Sequence, residues 1–121
     1  MKRRVVITGI GPVTGIGIGK DSFFNNILKI NTNIREIPPE FERQYRFKSR
    51  FYVPMPDFSF KDYGVENQVD SITENISKLS ILGTKLALSD AGYSINKENK
   101  YFSVTGLDDC GVIIGVGMSS L

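Results

Sequence analysis

Two apolar runs that do not alternate constrain this chain more than anything else in it. Val5-Val6-Ile7 near the start and Val112-Ile113-Ile114 near the end lack the polar residue at every second position that a half-exposed strand carries. Such strands belong inside parallel sheets, with both faces covered. The runs predict strands over about Arg4 to Thr8 and Gly111 to Gly115. Each leads into glycine: Gly9, Gly11, Gly15, Gly17 and Gly19 after the first, Gly115 and Gly117 after the second. Strand, glycine loop and helix open many α/β enzymes, so an α/β fold is expected.

The other elements are weaker, with one exception. A short helix is predicted from Lys20 and Asp21 to about Lys29, capped by Asp21, with Phe23 and Ile27, and Phe24 and Leu28, four apart on one side. Between Ile30 and Asp70 only two brief strands are suggested, Ile34 to Ile37 and Arg50 to Val53, each ended by prolines. Phe58, Phe60 and Tyr63 have nothing obvious to cover them. The exception is a long helix in which Ile72, Ile76, Leu79, Leu82 and Leu86 make a stripe, widened by Ile81, Ala87 and Leu88. It is expected to be buried on more than one side. Ser71-Ile72-Thr73-Glu74 has the form of a capping box, although Asn75 and Ser77 are alternative starts. Gly92 is placed to take the left-handed turn at its end. Ser94 to Lys100 reads as a polar loop, followed by a weak stretch at Tyr101 to Thr105. Two fully buried strands, two helices and a long wrap cannot cover both faces of a sheet. Residues 1–121 are therefore expected to be an incomplete unit with much apolar surface exposed.

Composition removes several functions. With 23% charged and 40% apolar residues the chain reads as globular, neither disordered nor membrane-embedded. Gly9, Gly11 and Pro12 cut the first apolar run too short for a signal peptide, which makes a mature cytoplasmic start the expectation. One cysteine and no histidine leave no disulfide framework and no ordinary zinc site, and exclude any scheme within these residues that needs an imidazole. A net charge of +2 is too small to imply a polyanionic partner.

The glycine spacing fits no phosphate-binding pattern. A P-loop needs Gly-Lys followed by Ser or Thr, and here Asp21 follows Gly19-Lys20. The dinucleotide pattern G-x-G-x-x-G would begin at Gly9-Ile10-Gly11, but Thr14 stands at its third glycine. In the short-chain dehydrogenase loop, Thr-Gly is separated by three residues from Gly-x-Gly; here Thr8-Gly9 is five residues from Gly15-Ile16-Gly17. Tight turns and close backbone packing explain these glycines better than a cofactor does, and no cofactor is expected.

Taken together, the motifs resemble one family. Arg3-Arg4-Val5-Val6-Ile7-Thr8-Gly9-Ile10-Gly11 with Pro12-Val13-Thr14, then Phe23-Phe24 and Ile27-Leu28, is similar to the opening of beta-ketoacyl-[acyl-carrier-protein] synthases. Asp57-Phe58, Asp62-Tyr63, Lys85-Leu86-Ala87-Leu88-Ser89-Asp90-Ala91-Gly92 and Gly111-Val112-Ile113-Ile114-Gly115-Val116-Gly117-Met118 follow in the family's order. The resemblance covers the whole chain, and only the beginning of the family's longer one. It implies the N-terminal portion of a thiolase-like, five-layered αβαβα fold, usually a homodimer, acting in fatty-acid synthesis on acyl and malonyl groups carried by acyl carrier protein. The family's chemistry is a decarboxylating Claisen condensation on a cysteine thiolate, assisted by two histidines. The resemblance places all three beyond residue 121, so no catalytic residue is expected here. A non-catalytic subunit of the same fold and, more remotely, a short-chain dehydrogenase are the alternatives.

Three further features bear on function. Cys110, between Asp109 and Gly111, has no neighbouring cation, histidine or following helix to activate it and reads as an inert thiol. Met118 matches a bulky position that lines or gates the acyl pocket in relatives, and reads equally well as a packed loop residue. Arg43-Gln44-Tyr45-Arg46-Phe47-Lys48-Ser49-Arg50-Phe51-Tyr52 interleaves cations and aromatics. With Glu40 and Glu42 beside it, this fits a strand with one wet face better than a nucleic-acid site. The stretch could also meet an acidic carrier protein. Two positions depart from the family pattern. Glu66-Asn67-Gln68-Val69-Asp70 replaces a basic cluster before the long helix, and Ile30 replaces a glycine after the first helix, with Asn31 expected to take over the turn.

Overall fold

The computed structural model describes residues 2–44, 48–97, 101–115 and 117. Helices and short strands are mixed, in keeping with an α/β chain, and the residues fall into two compact units. One comprises residues 12–57, the other residues 1–11 with 58–121. The boundary runs through the opening glycine motif, between Gly11 and Pro12.

In the unit of residues 12–57, β1 (Val13–Thr14) and β2 (Gly17–Ile18) form an antiparallel hairpin, so the glycine loop folds back on itself. Helix α1 (Lys20–Leu28) follows. Its N-cap is Gly19 and no side chain caps it, so Asp21 lies in the first turn instead of capping it. There the carboxylate still favours the positive end of the helix dipole. β3 (Arg35–Glu36) pairs antiparallel with β4 (Phe51–Tyr52), inside the two brief strands expected there. The connection between them contains α2 (Pro39–Gln44), which the sequence reading missed. Pro39 opens it, a position where its missing N–H costs nothing. Arg43 is thus helical, and the continuous alternating strand expected from Arg43 to Tyr52 does not form.

Helix α1 ends in a Schellman turn: Ile30 N–H donates to the Ile27 carbonyl at 3.0 Å and Asn31 N–H to the Asn26 carbonyl at 2.9 Å. The left-handed residue is Ile30 itself, with φ of 56°, and not Asn31 as expected. Two hydrogen bonds hold a β-branched residue where glycine would sit without strain.

In the other unit, Ser59 and Asp62 form a capping box on a 3-10 turn, Phe60–Tyr63. Phe58 packs edge-on against Phe60 and Tyr63, with ring centroids 5.1 and 6.1 Å away, so the three aromatics cover one another. Then come α3 (Glu66–Val69), α4 (Asn75–Asp90) and an antiparallel hairpin of β5 (Ile95–Lys97) and β6 (Phe102–Val104). The hairpin occupies part of the expected polar loop. Helix α4 starts at the alternative Asn75, and no capping box forms at Ser71–Glu74. At its end Gly92 (φ 83°) and Tyr93 close a second Schellman turn onto the Ser89 and Leu88 carbonyls.

The two runs expected as buried strands have no strand partner among the described residues. Val5 is 94% exposed and Ile113 99%. Pairing and burial need neighbouring strands and helical layers, and the described residues provide neither for these runs. For the same reason only Leu82 of α4 is buried, correcting the expectation of a helix covered on several sides. The large apolar exposure itself was expected.

The first run is nevertheless held in place just after its end. A Cβ on Gly9 would stand 2.2 Å from the Ala87 carbonyl oxygen, and one on Gly11 2.0 Å from that of Gly83. Gly83, Ala87 and Ala91 lie four apart on one ridge of α4, and the chain from Gly9 to Gly11 runs against it backbone to backbone. Ile10 N–H also donates to Asp90 Oδ2 at 3.0 Å.

Two substitutions measure these features by chemical denaturation. Gly11→Ala should cost at least about 2 kcal/mol, because the clash is with backbone that cannot rotate away. Ile30→Gly should gain about 0.5–1 kcal/mol by removing left-handed strain, partly offset by the greater freedom of glycine in the unfolded chain.

Candidate functional site

The glycine loop is the first place to look for a ligand. Beside Gly15, a Cβ would meet Val53 Cγ1 at 2.4 Å and the Pro54 carbonyl oxygen at 2.6 Å; beside Gly17 it would meet Phe23 N at 2.7 Å. The Asn33 amide donates to the Gly15 and Pro54 carbonyls, at 2.8 and 3.2 Å, and the Asn26 amide donates to that of Ile16. Gly19 adopts φ 81° and ψ 157°, a region open essentially to glycine alone. A phosphate cradle needs open space in front of converging amides. Here the space beside Gly15 and Gly17 is filled by the protein's own backbone and side chains, so packing and turn geometry account for the motif.

The other residues singled out by sequence are not brought together. Cys110 is an exposed free thiol, and no group of acidic or cysteine residues among the described residues could hold a metal ion. Met118 lies outside the described residues, as do Tyr45, Arg46 and Phe47 of the basic stretch.

The structure instead draws attention to a groove of about 400 Å³ between α4 and the β5–β6 hairpin. Ile81 and Leu88 line it from the helix, Ile95, Phe102 and Val104 from the hairpin, and Ile114 from the second apolar run. Its cation is Lys85. The Nζ donates to the Tyr63 carbonyl and stands 5.5 Å from the centre of the Phe102 ring, within reach of a cation–π contact. Partial burial holds the Lys85 pKa below the usual lysine value; the nearby positive charge of Lys97 adds to the shift and Glu66 opposes it. Glu66 is engaged with Lys97 at 3.0 Å. A backbone hydrogen bond and then that partner hold the Glu66 carboxyl below its ordinary range.

Sequence reasoning passed over Lys85 as one letter of a motif. The signal was present: it falls four residues after Ile81 and three before Leu88, so helical geometry puts a cation on an apolar face.

With this geometry established, similarity can be placed beside it. Residues 2–121 match the model of the beta-ketoacyl synthase N-terminal domain. The chain belongs to that family. Among its curated relatives are the chloroplastic 3-oxoacyl-[acyl-carrier-protein] synthases I of Hordeum vulgare and Arabidopsis thaliana, 28% and 29% identical over 120 residues. Those alignments cover 99% of this chain but only 25% and 24% of the relatives, so the chain spans about a quarter of their length. No solved structure matches it. The family is one of transferases, and no helix among the described residues is long and apolar enough to cross a membrane.

Lys85 also makes a pH prediction. Its folded-state pKa lies below the unfolded 10.5, so between those values the native chain releases its proton first and stability rises with pH. Below the folded pKa both states are protonated and the full desolvation cost remains. Denaturation midpoints measured from neutral pH to 10.5 should therefore contain an upward component that Lys85→Met removes.

Proposed function

We propose that this chain is the N-terminal part of a beta-ketoacyl-[acyl-carrier-protein] synthase, an incomplete half of a thiolase-like, five-layered ketosynthase domain. The carrying observation is the family match over residues 2–121. The bare runs at Val5–Ile7 and Val112–Ile114 support the same reading, because strands of that composition gain stability only when further layers cover them.

In this proposal the complete enzyme acts in fatty-acid synthesis, in the cytoplasm and as a homodimer, on groups delivered by acyl carrier protein. An acyl chain rests on a cysteine as a thioester. Malonyl on the carrier loses carbon dioxide, and the carbanion left behind attacks the thioester carbonyl. A carbon–carbon bond forms and the cysteine thiolate leaves. Histidines and backbone amides stabilise the negative oxygen that develops. The histidines must come from outside residues 1–121, which contain none. What this portion contributes is a scaffold of α4 and the segment packed on it, together with Met118, whose side chain lines or gates the acyl pocket in this reading. The filled space beside Gly15 and Gly17 speaks against the dehydrogenase alternative.

The test compares the 121-residue chain with the polypeptide that continues its reading frame. The chain alone should form no β-ketoacyl product from acyl- and malonyl-carrier protein, and should bind a hydrophobic dye through its bare runs. The longer polypeptide should condense and lose the dye signal, and Met118→Phe in it should shift preference toward shorter acyl chains. A cooperative, dye-silent monomer of the chain alone would overturn the structural part of the proposal. A longer polypeptide without condensing activity would leave the non-catalytic subunit as the better reading.

A further inference from the structure

We propose that the loop after α1, residues 29–34, is a strap that fastens the β1–β2 hairpin to Val53 and Pro54, with Asn33 as its catch. Strap and hairpin open together as one local unit while the rest of the chain stays closed. The tip of the hairpin is Gly15-Ile16, and a side-chain amide grips the carbonyl of each residue. The Asn33 amide donates to the Gly15 carbonyl at 2.8 Å and to that of Pro54 at 3.2 Å. The Asn26 amide, from α1, donates to that of Ile16. Asn31 completes the set, its amide donating to Asn26 Oδ1 at 3.3 Å. A primary amide has two donor hydrogens, so Asn33 alone can join two stretches of chain that are far apart in sequence.

The strap is held in a conformation it would not adopt by itself. Among the described residues other than glycine, only Ile30 and Asn33 have positive φ, 56° and 48°, and both lie in it. Asparagine tolerates the left-handed region, whereas a β-branched residue is strained there. The Ile30 side chain is 83% exposed, so packing does not hold it. Hydrogen bonds do: the turn bonds to the Ile27 and Asn26 carbonyls at one end of the strap, and the Asn33 amide at the other. Each such bond contributes a net amount of the same order as the strain it opposes. Relief of Ile30 therefore offsets part of what is lost when Asn33 lets go. Little else resists the opening, since Gly17 and Ile18 are the only buried residues among those described in this unit. Glycine at position 33 would take the same backbone angles but has no amide to lend, so asparagine meets both needs. The inference concerns this unit alone and is independent of the condensing-enzyme reading.

Amide hydrogen exchange on the full chain, read residue by residue by NMR, tests it. Three reporters belong to the opening unit: Gly19 N–H, bonded to the Pro12 carbonyl across the base of the hairpin, and the turn amides of Ile30 and Asn31. In the unmodified chain these three should show one common protection factor, within about twofold, and below that of the α4 amides. Asn33→Gly keeps the backbone angles and removes the amide, and should speed exchange at all three about tenfold. Ile37 N–H, bonded to the Arg50 carbonyl in the same unit, and the amides of α4 should be unchanged by it. Asn33→Asp, which turns a donor toward two carbonyls into a third acceptor, should do at least as much at neutral pH. Ile30→Gly should slow exchange at Gly19 about threefold by removing the strain that favours release. Unrelated protection factors at the three reporters in the unmodified chain would overturn the proposal without recourse to any variant. So would an Asn33→Gly chain in which the reporters are unchanged, or in which Ile37 speeds up equally, because Asn33 would then be an ordinary stabilising contact.

Discussion

The contact on which the second unit depends is the approach of the Gly9–Gly11 backbone to helix α4. Side chains normally keep an extended segment well away from a helix axis. Here two glycines at alternate positions meet Gly83, Ala87 and Ala91, four apart on the helix, and the two backbones touch. The Asp90 carboxylate then receives the Ile10 N–H and fixes where the segment stops. Period two on the segment and period four on the helix are the repeats of the two structures. The match explains why both stretches are poor in large residues.

The residues after Gly11 solve a different problem. Gly15 and Gly17 admit Val53, Pro54 and the Phe23 backbone, while the Asn26 and Asn33 amides tie down the loop's carbonyls. One run of glycines thus serves two separate packing arrangements, one in each unit. That division fits a packing role better than it fits a cofactor loop. What remains chemically distinctive is a single lysine among apolar side chains, and its partial burial gives it properties an exposed surface cation would lack.

Much of the local structure was legible because it depends on neighbours in sequence. Helix α1, the end of α4 at Gly92, and both strands of the β3–β4 pair follow from periodicity, breakers and turn residues. Missed features had weaker or competing signals. Helix α2 is six residues long and was hidden between prolines and alternating aromatics. Asn31 looked like the natural left-handed residue after α1, but the Schellman hydrogen bonds fix the turn one residue earlier, on Ile30. Lys85 stood in plain view, but a cation on an apolar face acquires meaning only when a hairpin closes over it.

By itself the sequence determined the family, the placement of the long helix and the rejection of each phosphate-binding pattern, since motif order, periodicity and spacing are properties of the chain alone. It also set the expectation that Val5–Ile7 and Val112–Ile114 are strands covered on both faces, because no polar residue interrupts them. Only the tertiary structure decided that these runs stand uncovered among the described residues, and that the opening glycines are used for backbone contact. It alone brought Lys85 together with Tyr63 and Phe102. Such contacts join residues tens of positions apart, and pairing at that distance depends on how the intervening chain turns, which no local pattern records.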